Sequence, residues 1–287
     1  MARSFLSALT RWLPRRFRRR DPFVAVVRLG GIIGYTTPLM PGMTLASVAR
    51  TLERAFAIKH ARAVALVINS PGGSAVQSHL IHQRIRALAA EHKRPVIAFV
   101  EDVAASGGYM IASAADEIVA DPSSIVGSIG VVSASFGFDK LIERIGVDRR
   151  VHTAGERKLI LDPFQPEKPE DVKRLAALQG EIHERFIALV KERRGDKLAG
   201  PEKTLFSGEF WVGGKALELG LVDRIGDLRG TLRERFGDKV VIRLITPPAA
   251  WFGRRSPGIE MEAARADWAA TLITAIETRA LWARYGL

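Results

Sequence analysis

The run Ala104-Ala105-Ser106-Gly107-Gly108 follows a short apolar segment, Pro95–Val100, and opens a stretch of small residues, Tyr109–Ala115. An apolar run of that length reads as a buried strand, and the small-residue stretch as a short buried helix. Ser106 then lies at a strand-to-helix turn, where free helix N–H groups and the helix field favour a developing anion. A second apolar run, Ala63–Ile68, ends in Asn69-Ser70-Pro71-Gly72-Gly73, again a strand followed by a tight turn. Two parallel strands whose ends each carry exposed glycine amides can cradle an oxyanion. A serine nucleophile also needs a base. Lys158, in the polar loop Gly155-Glu156-Arg157-Lys158-Leu159-Ile160, could serve only if its pKa fell from about 10.4 by roughly three units through burial or like charge. Read locally, the same residues also describe two ordinary glycine turns and a surface lysine. The serine block lacks the leading glycine of a GxSxG elbow.

Other chemistries find less support. The six histidines (His60, His79, His82, His92, His152 and His183) show no zinc-ligand spacing, and no metal or other cofactor is expected. No GxGxxG follows the first strand and no GxxxxGK[ST] occurs, which argues against a nucleotide site. With no cysteine, a disulfide scaffold, a thiolate zinc site and a cysteine nucleophile are excluded. Hydrophobic residues at 47% and charged residues at 26% fit a packed core.

Net charge is +12, but residues 1–20 hold seven arginines and no acid, so the body is only mildly basic. In that tail Phe5, Leu6, Leu9, Trp12, Leu13 and Phe17 form an apolar stripe flanked by Arg3, Arg11, Arg15, Arg18 and Arg19, with Pro14 interrupting the helix. It is too short in apolar run to span a membrane or act as a signal peptide. It suits either a solvated tail or a segment lying on an anionic membrane surface. A nucleic-acid partner is not expected. The localisation this implies is cytoplasmic, with peripheral contact at the inner membrane face through residues 1–20.

The elements that must position these residues alternate in type. Strands are expected at Val24–Val27 with Leu29 and Ile32–Ile33, broken at Gly30-Gly31, and at Ala63–Ile68, Pro95–Val100, Glu117–Ala120, Ile129–Ser133, Arg149–His152 and Val240–Ile245. Helices are expected at Thr44–Ile58 with Thr44 as N-cap, and at Gln77–Glu91, Phe138–Ile145, Pro169–Arg194, Glu209–Leu219 and Glu260–Tyr285. The alternation predicts an α/β fold with a mostly parallel sheet and flanking helices. The expected organisation is a basic amphipathic tail (1–22), a main domain (23–245) and a terminal loop and helix (246–287).

Four blocks in order, Asn69–Gly73, Ala104–Asp116, Val126-Gly-Ser-Ile-Gly-Val131 and Phe206–Asp223, closely resemble the signal peptide peptidase SppA / protease IV family of serine peptidases, over roughly residues 23–245. The resemblance implies a Clp protease/crotonase-like fold and a Ser–Lys dyad. Ser106 matches the nucleophile and Lys158 the general base, while Ser128 matches a hydroxyl that orients the lysine. Gly73 and Gly107 match the oxyanion hole. The Clp histidine has no counterpart in Ile129–Ser135. The chain carries one copy of the catalytic unit and, in place of the family's usual anchor, the basic tail. Because some members build the dyad across subunits, a ring-like homo-oligomer is expected, an octamer being one such ring. The implied activity is endopeptidase cleavage of signal-peptide remnants or other small or membrane-associated peptides. The rival readings are a crotonase-type acyl-CoA enzyme and a non-catalytic membrane-associated scaffold.

Overall fold

In the computed structural model, residues 21–34, 42–155, 157–246 and 268–287 are described. The basic tail and the first part of the expected terminal helix lie outside them. β-Branched and small apolar residues build the centre of the sheet. Strands β1 (Phe23–Gly30), β2 (Ala61–Ser70) and β3 (Val96–Ala105) are parallel neighbours, buried along most of their length. Burial on both faces explains why they read as continuous apolar runs. The sheet runs β6-β5-β3-β2-β1-β8, with β5 at Ile125–Gly127, β6 at Phe210–Val212 and β8 at Val241–Leu244. Strand β4 (Glu117–Ala120) pairs with the first half of β3 and with β7 (Arg224–Ile225), while β5 takes the second half of β3. Every pairing is parallel except β5–β6. The expected α/β fold with a mostly parallel sheet and flanking helices is the one the chain adopts.

Helices α1 (Leu45–Phe56), α2 (Ala75–His92), the six-residue α3 (Gly107–Ala112) and the end of α5 (Pro169–Arg194) close one face of the sheet. Thr44 caps α1 in a full capping box with Ser47. On the other face Val24, Val26, Ala63, Ala65, Ile97 and Phe99 pack with Leu232 of α8 (Leu228–Phe236). The short α4 (Asp139–Arg144), α6 (Glu202–Leu205) and α7 (Gly213–Glu218) and the last helix, α9 (Trp268–Ala283), complete the set. No described helix is long and apolar enough to cross a membrane.

Three expected elements differ. The strand expected at Ile129–Ser133 lies earlier, at Ile125–Gly127, because Gly127 (φ +117°) and Ser128 (φ +52°) leave the extended region and end it. Arg149–His152 is not a strand, since it runs along an exposed arm with no strand beside it. Glu209–Leu219 is not one helix. Phe210–Val212 pairs antiparallel with β5, and α7 begins only at Gly213, where a Cβ would sit 2.1 Å from the Asp121 carbonyl oxygen.

Two buried polar anchors tie the helices to the sheet. Asp223 accepts from the Ile118 N–H, from the almost fully buried Arg194 at 2.7 Å and from Lys197 at 2.7 Å. Burial pushes its carboxyl up, but these donors outweigh that and hold it below the usual carboxylate range. His82 of α2 reaches the Met110 carbonyl of α3 at 2.9 Å, so a neutral imidazole donates through Nδ1. Burial pushes the His82 pKa down from 6.5 to about 4 despite that bond.

In the unfolded chain His82 takes up its proton near 6.5, whereas the folded chain resists until about 4. The contribution is therefore complete above pH 6.5 and falls as pH drops to about 4, by up to about 3 kcal/mol. Urea unfolding at pH 7 and pH 5 checks this: His82→Gln, which keeps a donor to Met110 but cannot titrate, should lose less stability between the two than the native chain.

Candidate active site

The turns that end β2 and β3 pack back to back. Gly72 has φ +103°, and a Cβ there would lie 2.8 Å from the Ser106 Cβ and 2.9 Å from both the Ala105 oxygen and the Gly107 nitrogen. Only glycine allows so close an approach in that conformation. The first turn is laced to the segment that follows β1. Ile33 N–H donates to the Gly72 carbonyl and Ser74 N–H to the Ile33 carbonyl, while the Ser70 hydroxyl donates to Gly31. A Cβ on Gly73 would sit 2.1 Å from the Ile33 oxygen.

Ser106 stands at the N-cap of α3 with φ +52° and ψ −122°, a conformation that costs a non-glycine residue on the order of 1–3 kcal/mol. Its backbone is fixed at both ends: its N–H donates to Gly127 at 2.8 Å and its carbonyl accepts from Met110 at 3.0 Å. Its hydroxyl makes no capping bond, the residue is half-buried, and among the described residues the Oγ has no hydrogen-bond partner. Among the described residues the Gly73 and Gly107 N–H groups have no protein acceptor. Behind the turn, Tyr109 is fully buried and donates to the Leu221 carbonyl at 2.8 Å. Burial pushes its phenol well above the usual range, so it is a neutral structural donor.

Ser128 lies one turn away, buried, with φ +52° and its N–H donated to Glu209. Ser106 is bonded to Gly127, so the fold brings the two serines to one corner. It does not bring Lys158 there. Lys158 is exposed on an arm, and among the described residues it makes no hydrogen bond to Ser106 or Ser128. The arm is unusual throughout: between Gly130 and Arg185 no described apolar residue is buried, and Val132, Phe136 and Ile145 are 60% exposed or more. Sequence reasoning missed one residue at this corner, Tyr285. Its hydroxyl lies 3.4 Å from the Ser128 Oγ and 3.5 Å from the Pro71 oxygen. Nothing in the local sequence signals a contact across 157 residues.

A sequence profile of Peptidase family S49 matches residues 89–238, which contain Ser106, Ser128 and Lys158. The chain belongs to peptidase family S49. A second profile, of ClpP-like SDH-type serine proteinases, matches residues 15–155 and covers the Gly73 turn. The S49 chain is 33% identical over 77% of its length to the chloroplastic serine protease SPPA of Arabidopsis thaliana, and 38% identical over 63% to protease 4 of Haemophilus influenzae. It is also 58% identical, over 97% of its length, to a protein of Brucella abortus (strain 2308) named Na(+)/H(+) antiporter NhaA. It spans 33%, 29% and 39% of these three proteins respectively. The antiporter name is that of the whole protein, of which only 39% is matched, and is not carried to this chain.

Gly72→Ala should unfold far more easily than Gly146→Ala. Both sites have left-handed φ, but a Cβ at Gly146 meets nothing within 4 Å. The shared backbone strain is about 1 kcal/mol, and the clash with the Ser106 turn adds roughly 1–3 kcal/mol at Gly72 alone. Denaturation midpoints of the two variants check the difference.

Proposed function

We propose that this chain is a serine endopeptidase in which Ser106 is the nucleophile, Lys158 the general base, and the Gly73 and Gly107 amides the oxyanion hole. The observation that carries it is the Ser106 turn: a strained, doubly anchored backbone presents a hydroxyl that, among the described residues, has no partner, beside two amides that have no acceptor there. Neutral Lys158 takes the Ser106 proton, and the alkoxide attacks the peptide carbonyl. The two amides stabilise the tetrahedral oxyanion, the amine leaves with a proton from the lysine, and water cleaves the acyl-enzyme. Ser128 orients the lysine amine. The peptidase unit is residues 23–245, flanked by the tail (1–22) and the terminal segment (246–287). Its substrates are small or membrane-associated peptides, signal-peptide remnants among them.

The exposed arm supports an assembly in which Lys158 of one copy serves Ser106 of the next. Among the described residues its apolar side chains join no buried core, and a neighbouring copy would bury them together with the lysine. Repeated head-to-tail contacts of this kind close into a ring. The test is subunit mixing. Ser106→Ala and Lys158→Ala should each abolish peptide hydrolysis. Equimolar assemblies of the two should recover up to about a quarter of native activity, because random placement restores both groups at that share of sites. No recovery would place both groups in one chain. Lys158→Arg should also stay inactive, because a guanidinium does not serve as a base near neutrality.

The seven arginines and apolar stripe of residues 1–20 favour peripheral contact with an anionic membrane. Removing them should leave hydrolysis of a free peptide intact and weaken sedimentation with anionic vesicles, the native binding falling as salt rises. Equal sedimentation with and without the tail would exclude that role.

A further inference from the structure

The two amides of the proposed oxyanion hole come from different turns. Gly73 directly precedes Ser74, the N-cap of α2, and Gly107 is the first residue of α3. Their separation is therefore set by how α2 packs on α3. One stripe of α2 makes that contact. Ser78, His82 and Arg86 recur every four residues and share a helix face. His82 reaches the Met110 carbonyl at 2.9 Å, and Arg86 reaches the Ala114 carbonyl at 3.1 Å and Asp116 at 2.8 Å. At the other end of the stripe, nearest the site, Ser78 meets Gly107.

Ser78 is fully buried. Its hydroxyl donates to the Ser74 carbonyl at 2.8 Å, and its N–H donates to the same oxygen at 3.0 Å. The helical bond alone satisfies that carbonyl, so the hydroxyl bond adds little to stability. It does fix the rotamer, and with it the place of the Ser78 oxygen. A Cβ on Gly107 would lie 2.2 Å from the Ser78 Oγ and 3.2 Å from the Ser78 Cβ. Gly107 is not left-handed, so space and not φ is what bars a side chain there. One oxygen is thus bonded to the residue after Gly73 and packed against Gly107.

We infer that Ser78 is a positioning residue for the oxyanion hole: its hydroxyl is the spacer that holds the Gly107 amide in place relative to the Gly73 amide. The inference rests on the peptidase reading for the role of those amides. Ser78 is not itself one of the reacting groups. A carbonyl oxygen gains most of its negative charge in the transition state. A donor held out of place therefore costs rate and leaves ground-state binding nearly unchanged.

The probe is a fluorophosphonate, whose phosphoryl oxygen takes the same two amides as it reacts with Ser106. In Ser78→Ala the maximal labelling rate should fall on the order of tenfold, with the half-saturating concentration within about twofold of native. Ser113→Ala is the control. It removes another buried hydroxyl, bonded to the Met110 carbonyl at 2.8 Å near the far end of α3, and should label at the native rate. An unchanged rate in Ser78→Ala would overturn the inference. An equal loss in both variants would overturn it too, by making the effect a general loosening of α3. A second pair keeps the test independent of whether Ser78→Ala folds. Gly107→Ala should label poorly, and Ser78→Gly/Gly107→Ala, whose added methyl takes the space of the lost side chain, should label faster. No recovery in the pair would refute the spacer role. Native protein that does not label at Ser106 would overturn the peptidase reading and this inference with it, whereas equal labelling of native and Ser78→Ala overturns the inference alone.

Discussion

The contact between Gly72 and Ser106 is the constraint on which the site depends. Two parallel strands end side by side, and their turns approach until no Cβ fits between them. At that approach Gly72 and Ser106 both hold positive φ, the Ser106 hydroxyl makes no capping bond to its own helix, and among the described residues the Gly73 and Gly107 amides have no acceptor. The strain at Ser106 is offset elsewhere. Bonds to Gly127 and Met110 hold it, His82 and Tyr109 fix the helix behind it, and the buried Arg194–Asp223 pair ties that layer to the sheet edge. Removing one member of such a buried pair is typically far costlier than the pair's net contribution. The scaffold is therefore rigid where the geometry must be accurate.

The arm from Gly130 to Arg185 follows the opposite logic. A segment that buries no apolar side chain has little to offset the entropy of ordering it. Its exposed Val132, Phe136, Leu141 and Ile145 are spaced along it, and it carries Lys158. A lysine base needs desolvation, and an apolar arm needs a surface, so one contact with another copy would meet both requirements. The rigid half of the site and the unpartnered half are thus complementary in chemistry.

Much of this was legible in the sequence, and the gaps have physical causes. Pro169–Arg194 was readable to the residue because a proline at its first turn and a glycine after its last mark both ends. Thr44 announced its helix in the same way. The buried strands and the Ser106 turn were readable because apolar runs and glycine pairs are local signals. The ends of β5 and α7 were not, because they are set by left-handed backbone and by a clash with Asp121, which are tertiary matters. Lys158 could be named from its polar loop as a candidate base, but only the resemblance raised it above an ordinary surface lysine, since an exposed lysine on an arm has no local signature of catalysis. Tyr285 entered only with the structure.

The central claim, that the Ser106 turn presents a reactive hydroxyl, is tested most directly by locating a covalent adduct. Native protein treated with a fluorophosphonate and mapped by peptide mass spectrometry should carry one adduct per modified chain, on Ser106. Ser106→Ala, folded by circular dichroism, should carry none. An adduct on Ser70, Ser74, Ser128 or another residue, with Ser106 unmodified, would contradict the account.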